Sequence, residues 1–119
     1  MTQRLDGPTT GDYAQRLLEA ADYDNRAAFA TGRKTVTTAG TAEQMTSQAI
    51  PDGFGVVIKA ISTNTGRVRV GNSKANAESA TTAFTLGSNE SITLKISNLN
   101  LVWLDVTVSG EGVEWIVET

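Results

Sequence analysis

From Gly55 to Glu118, apolar and polar residues alternate segment after segment, and the breaks fall at Gly, Asn and Ser. Ser91-Ile92-Thr93-Leu94-Lys95-Ile96-Ser97 shows the pattern most clearly: every second side chain is a branched aliphatic, and hydroxyls or a lysine stand between. Successive side chains of an extended chain point to opposite faces, so this pattern specifies strands with one face in a core and the other in water. Segments 34–38, 42–46, 54–62, 67–71, 83–86, 91–97, 101–108 and 113–118 follow the same rule, giving about eight strands with short polar connections. The first two are expected to pair around Ala39-Gly40-Thr41, and Ile50-Pro51-Asp52-Gly53 is a turn. The fold class predicted is all-β: a small sandwich, jelly roll or barrel.

The period assigns the core to Val56, Ile58, Val68, Val70, Phe84, Leu86, Ile92, Leu94, Ile96, Val102, Leu104, Val106, Val113, Trp115 and Val117. It also leaves an apolar second face, because Val57 and Ile61 flank Lys59, and Leu101 and Trp103 precede Asp105. A second apolar face on a strand marks a subunit contact or the seat of another element.

Ahead of the strands the pattern changes. Residues 1 to about 10 read as a polar extended arm, and 12 to about 30 as helix. Thr10 or Asp12 caps the helix, and Tyr13, Leu17 and Ala20 or Ala21 share a face. Asp22-Tyr23-Asp24-Asn25 interrupts it, Ala27, Ala28 and Phe29 follow, and Thr31-Gly32 ends the run. So thin a stripe needs a surface to pack on. With 119 residues the chain has room for one core and an appendage, divided here as 1–32, arm and helix acting as an assembly contact, and 33–119, the β domain.

The chain has neither cysteine nor histidine, which removes disulfides, thiolate metal sites, and every Ser-His or Cys-His catalytic arrangement. Carboxylates remain. Glu114 and Glu118 share a strand face but stand roughly 13 Å apart in an extended chain, too far for either glycosidase geometry. With Glu111 and Asp105 they read as solvated outer charges. Asp22-Tyr23-Asp24-Asn25 opens like a calcium loop, but Ala27 stands at the glycine position and Arg33 at the terminal glutamate position. Gly110-Glu111-Gly112 lacks a following lysine and helix, so it is expected to be a hairpin turn and not a phosphate loop. Asn89-Glu90-Ser91 is a formal glycosylation sequon, read as a turn. No cofactor, metal or catalytic residue is expected.

A net charge of −3 argues against nucleic acid as a partner. No run approaches the length of a membrane span, and the first residues lack the apolar core of a signal peptide. Arg67 and Arg69 share one strand face and are candidate partner contacts. Trp103, sent outward by the alternation, suits a protein interface or a sugar.

The order of turns and strands adds a resemblance. Ala39-Gly40-Thr41-Ala42 is followed by Ile50-Pro51-Asp52-Gly53-Phe54 and Val57-Ile58-Lys59-Ala60. Then come Asn64-Thr65-Gly66-Arg67-Val68-Arg69-Val70-Gly71, the turn Leu86-Gly87-Ser88-Asn89-Glu90-Ser91-Ile92, and Val102-Trp103-Leu104-Asp105. This resembles small virion structural proteins of tailed viruses of bacteria and archaea, over roughly two thirds of the chain. The resemblance implies a non-enzymatic capsid decoration or minor capsid subunit that stabilises the shell as a symmetric homo-oligomer, a trimer first. Its partners would be copies of itself and the major capsid protein or other virion proteins, and its place the virion, assembled in the host cytoplasm. The alternative is a glycan-binding or structural module of a tail fibre or baseplate, using Trp103. The candidate contact residues are Tyr13, Leu17, Phe29, Val57, Ile61, Arg67, Arg69, Leu101 and Trp103.

Overall fold

The computed structural model describes residues 28–119, so the expected arm, most of the expected helix, and with them Tyr13 and Leu17, lie outside the described residues. Eight strands follow one another: β1 (Phe29–Thr35), β2 (Glu43–Gln44), β3 (Val56–Ala60), β4 (Val68–Gly71), β5 (Phe84–Leu86), β6 (Ser91–Leu94), β7 (Trp103–Val106) and β8 (Gly112–Glu118). A short helix α1 (Lys74–Glu78) lies between β4 and β5, and a 3-10 turn (Leu99–Leu101) precedes β7. The strands form two four-stranded antiparallel sheets, ordered β1-β8-β3-β6 and β2-β7-β4-β5. The all-β class expected from the alternation is what the described residues adopt.

The inward rows of both sheets meet in one core. Val56 and Ile58 of β3 stand opposite Val117 and Trp115 of β8, while Val68 and Val70 of β4 stand opposite Val106 and Leu104 of β7. Each fully buried Val, Ile or Leu contributes about 1.5–3 kcal/mol relative to exposure. Gly32 makes room for the largest side chain: a Cβ there would lie 2.5 Å from Cζ2 of Trp115, so the indole lies over β1.

Several expectations fail for physical reasons. Segments 34–38 and 42–46 do not form a hairpin: β1 pairs with β8 and β2 with β7, in different sheets. The chain dives inward at the buried Val36 and crosses over, and Lys34 reaches Glu43 at 2.6 Å to tie the two edges. Phe29 to Gly32, assigned above to the helix and its end, belong to β1, where Ala30 and Gly32 lie opposite Val117 and Trp115. Gly110-Glu111-Gly112 turns, with Gly110 at φ +86°, but it links β7 to β8 across the two sheets and is no hairpin.

Three side chains differ from expectation in burial. Phe84 is 58% exposed because, among the described residues, β5 is the edge strand of its sheet. Ile61 is buried because β3 stops at Ala60 and a turn begins, in which Asn64 N–H donates to Ile61 O at 3.0 Å. Asp105 is wholly buried. Met45, Ile50 and Leu99 join the core from irregular segments, where no period marks them. Helix α1 was not expected; Ser73 caps it, its Oγ accepting Asn76 N–H at 3.1 Å, and the buried Ala77 packs over Gly71.

Candidate functional site

The seven candidate contact residues that lie among the described residues do not form one surface. The outer face of the first sheet carries two transverse rows, which line a shallow hollow of about 580 Å³. Thr31, Ile116, Val57 and Thr93 make one, and Arg33, Glu114, Lys59 and Ser91 the next. Glu114 sits between two cations, 2.5 Å from Arg33 and 3.4 Å from Lys59. Ile116 is 43% exposed, and Phe29, 66% exposed, stands at the start of β1, opposite Glu118. Val57 and Phe29 are the candidates that this sheet carries outward. Ile116 was missed because the period left it an isolated outward residue; its cross-strand neighbour Val57 becomes visible only with the register.

The outer face of the second sheet carries Trp103 and Arg69, both half-buried. Trp103 pairs across β7 with Gln44 and Gly71, and Arg69 lies in register with Asp105. Part of this face is covered. Helix α1 packs at Gly71, and the 38–42 turn places Gly40 N–H 2.9 Å from Asp105 Oδ1. Val106 N–H donates to the same oxygen at 2.8 Å, while Oδ2, also buried, has no hydrogen-bond partner among the described residues. Arg67 is exposed before β4, where its N–H meets Thr107 Oγ1.

The third surface is a groove of about 850 Å³ where the free edges of β5 and β6 leave the two sheets apart. Ile92, Leu94 and Ile96 face it from the first sheet's edge, and Val70, Phe84 and Val102 from the second sheet's side, with Leu101 at its mouth. Asn72, Asn76, Thr82 and Thr93 add polar groups. Leu101 is 51% exposed. At the opposite edge the Lys34–Glu43 pair and the crossover between β1 and β2 join the sheets; at this edge the 87–90 turn carries the chain from β5 to β6.

The acids serve the fold. Glu111 accepts Thr65 N–H at 2.7 Å and Gly66 N–H at 2.9 Å, which holds its carboxyl below the ordinary value of 4.5. Lys34 and Thr37 N–H do the same for Glu43, and Lys74 and Ala42 N–H for Glu78. Arg33, then Lys59, lower Glu114. Thus Glu111 and Asp105 are not merely solvated charges: one staples a crossover and the other is buried.

Comparison with protein-family models, curated proteins and solved structures finds no match to this chain. Among the described residues there is no group of three or more acidic, histidine or cysteine side chains placed to hold a metal ion. No described helix is long and apolar enough to cross a membrane. What these surfaces offer chemically is adhesion: exposed aliphatic and aromatic groups beside fixed charges and amides.

Proposed function

We propose that this chain is a non-enzymatic structural subunit of a virion, a capsid decoration or minor capsid protein that binds the shell as a symmetric oligomer, a trimer first. The observation that carries the reading is the pair of apolar surfaces that no described residue covers, the Val57–Ile116 patch and the β5/β6 groove, on a domain whose acids mostly fasten its own loops. The strand orders β1-β8-β3-β6 and β2-β7-β4-β5 support the finer assignment of a jelly roll, an architecture used by viral capsid and lectin domains. The order of turns resembling virion proteins points the same way, while the fold by itself specifies no function. Closed symmetry would cover the patch around Ile116 and the free edge of β1.

Light scattering over a dilution series, followed by co-sedimentation with assembled capsid shells, tests the reading. The expected result is a closed oligomer, near three times the 12.6 kDa chain mass, that sediments with shells. A monomer at every concentration that stays in the supernatant refutes it.

One observation favours the glycan module as a second reading. Phe84 stands exposed beside Asn72, Asn76 and Thr82, an aromatic ring next to amides and a hydroxyl, as sugar recognition requires. Trp103, half-buried, is the poorer platform. A glycan array on the wild type and on Phe84→Ala separates the two: binding that depends on Phe84 supports the module and leaves the decoration reading without this surface.

A further inference from the structure

The register of the first sheet fixes which groups its outer face presents to a second copy of itself. Across β1, β8, β3 and β6, Arg33, Glu114, Lys59 and Ser91 make one transverse row, and Thr31, Ile116, Val57 and Thr93 the next. One step further along the strands Phe29 pairs with Glu118, and Gly55 and Lys95 continue that row just beyond the ends of β3 and β6. A Cβ on Gly55 would stand 2.9 Å from Cγ2 of Thr93 and 3.5 Å from Cγ of Lys95, which puts Gly55 and Lys95 on this face.

Two kinds of two-fold axis lying in the interface set this face against itself, and charge separates them. An axis perpendicular to the strands, along the middle row, exchanges the outer rows. It lays Glu114 over the partner's Glu118, acid on acid. An axis parallel to the strands, between β8 and β3, reverses each row upon itself. Glu114 then meets the partner's Lys59, and Lys59 meets the partner's Glu114. In the same arrangement the exposed Ile116 lies over the partner's Val57, Arg33 over the partner's Ser91, and Phe29 over the partner's Lys95. No charge meets its like. Like charges juxtaposed across an interface reject a binding mode, so the second axis is the one the sequence permits.

We propose that the outer face of the first sheet binds a second copy of this chain about a two-fold axis parallel to its strands, with Glu114 and Lys59 of each copy against Lys59 and Glu114 of the other. The inference rests on the reading of the chain as a self-associating subunit and fixes the operator at this face. A three-fold then closes through other surfaces. An isologous contact uses one patch twice, as the reversed rows require. Four strands about 4.8 Å apart and seven residues of about 3.3 Å give a face of about 19 by 23 Å. That is about 440 Å², near half the roughly 800 Å² that each partner buries in a standard interface, so the contact is weak and populated by concentration.

Charge exchange separates this contact from the pairing of Glu114 within its own chain. In Lys59→Glu, residue 59 meets the partner's Glu114; in Glu114→Lys, residue 114 meets the partner's Lys59. Each variant alone repels its own copy at two places, so self-association followed by light scattering at rising concentration should weaken at least about tenfold. An equimolar mixture of the two sets opposite charges at both places and should recover the wild-type mass. A mixture no heavier than either variant overturns the proposal; if the wild type then still associates and sediments with shells, the virion reading stands. A wild type that is monomeric at every concentration also overturns the proposal, and the virion reading falls with it only if the chain stays in the supernatant as well. The second measurement uses the wild type alone, where no folding defect intervenes. Mixed light and isotopically heavy chains, treated with a zero-length carbodiimide, should give Lys59–Glu114 links that join a light chain to a heavy one. Such links found only within single chains overturn the proposal, since Lys59 and Glu114 of one chain already lie 3.4 Å apart.

Discussion

Gly32→Ala should destabilise the protein, although Gly to Ala in a strand ordinarily does the reverse. Gly32 has no left-handed backbone to protect, and the unfolded chain alone would make Ala better by about 0.4–1 kcal/mol. The structure opposes this. A Cβ at position 32 would stand 2.5 Å from Cζ2, 2.6 Å from Cε2 and 2.8 Å from Nε1 of Trp115, atoms of a rigid ring that is only 8% exposed. Either β1 lifts from β8 or the indole leaves its rotamer, and overpacking of this kind costs about 1–3 kcal/mol. Net of the gain from the unfolded chain the loss centres on about 1.3 kcal/mol, and at about 4–8 °C per kcal/mol for a domain of this size the midpoint should fall by roughly 5–10 °C. Urea denaturation followed by tryptophan fluorescence and far-UV circular dichroism measures it. Trp115→Phe in the same background removes the offending ring atoms, so the double-mutant cycle should show a favourable coupling of about 1 kcal/mol or more. A stabilised Gly32→Ala, or strictly additive effects, would refute the account of why glycine stands there.

Asp105→Ala should cost about 1–3 kcal/mol by orphaning the N–H groups of Gly40 and Val106, whereas Asp105→Asn keeps an acceptor and should stay within about 1 kcal/mol of wild type; chemical denaturation that ranks the two equally would contradict this. Glu43, Glu78, Glu111 and Glu114 all have carboxyls held below 4.5 in the folded state, so the unfolded chain binds protons first as pH falls. Their stabilisation is present above about pH 4.5 and is lost as pH drops through the folded values; Glu111→Gln should be less stable at pH 7 and lose less between pH 5 and 3 in thermal scans. Ile116→Lys should leave the folding free energy within about 0.5 kcal/mol but dissociate any oligomer that uses the outer face of the first sheet, and an unchanged mass by light scattering would remove that face from the interface.

Alternation located the strands because it is local. The period at 54–62, 91–97 and 113–118 placed β3, β6 and β8 within a few residues and sent Val56, Ile58, Val113, Trp115 and Val117 to the core. It could not say where in a sheet a strand sits. Phe84 and Leu86 share a face, yet only Leu86 is covered, because coverage at an edge depends on the opposing sheet. Nor could it reveal pairing, since the neighbours of β8 are β1 and β3, far away in sequence. Helix α1 had a legible signal, Ser73 followed by Ala75 and Ala77, too short for a helical period to register. For the site, residue 57 was readable as an outward aliphatic. The row it forms with Ile116, and the groove lined by Phe84 and Leu94, are products of register and of the gap between sheets.

Every connection except the one through α1 carries the chain from one sheet to the other. Neighbouring strands are thus rarely consecutive, and β8, the latest of the eight to be synthesised, lies between β1 and β3. The first sheet therefore has a vacancy at its centre until the ribosome has delivered Gly112–Glu118, and no earlier fragment can bury Val56, Ile58 and Trp115 together. Non-local pairing of this kind slows folding and exposes strand edges meanwhile. Folding is consequently a single late event, and the protein becomes competent to associate only as a finished domain.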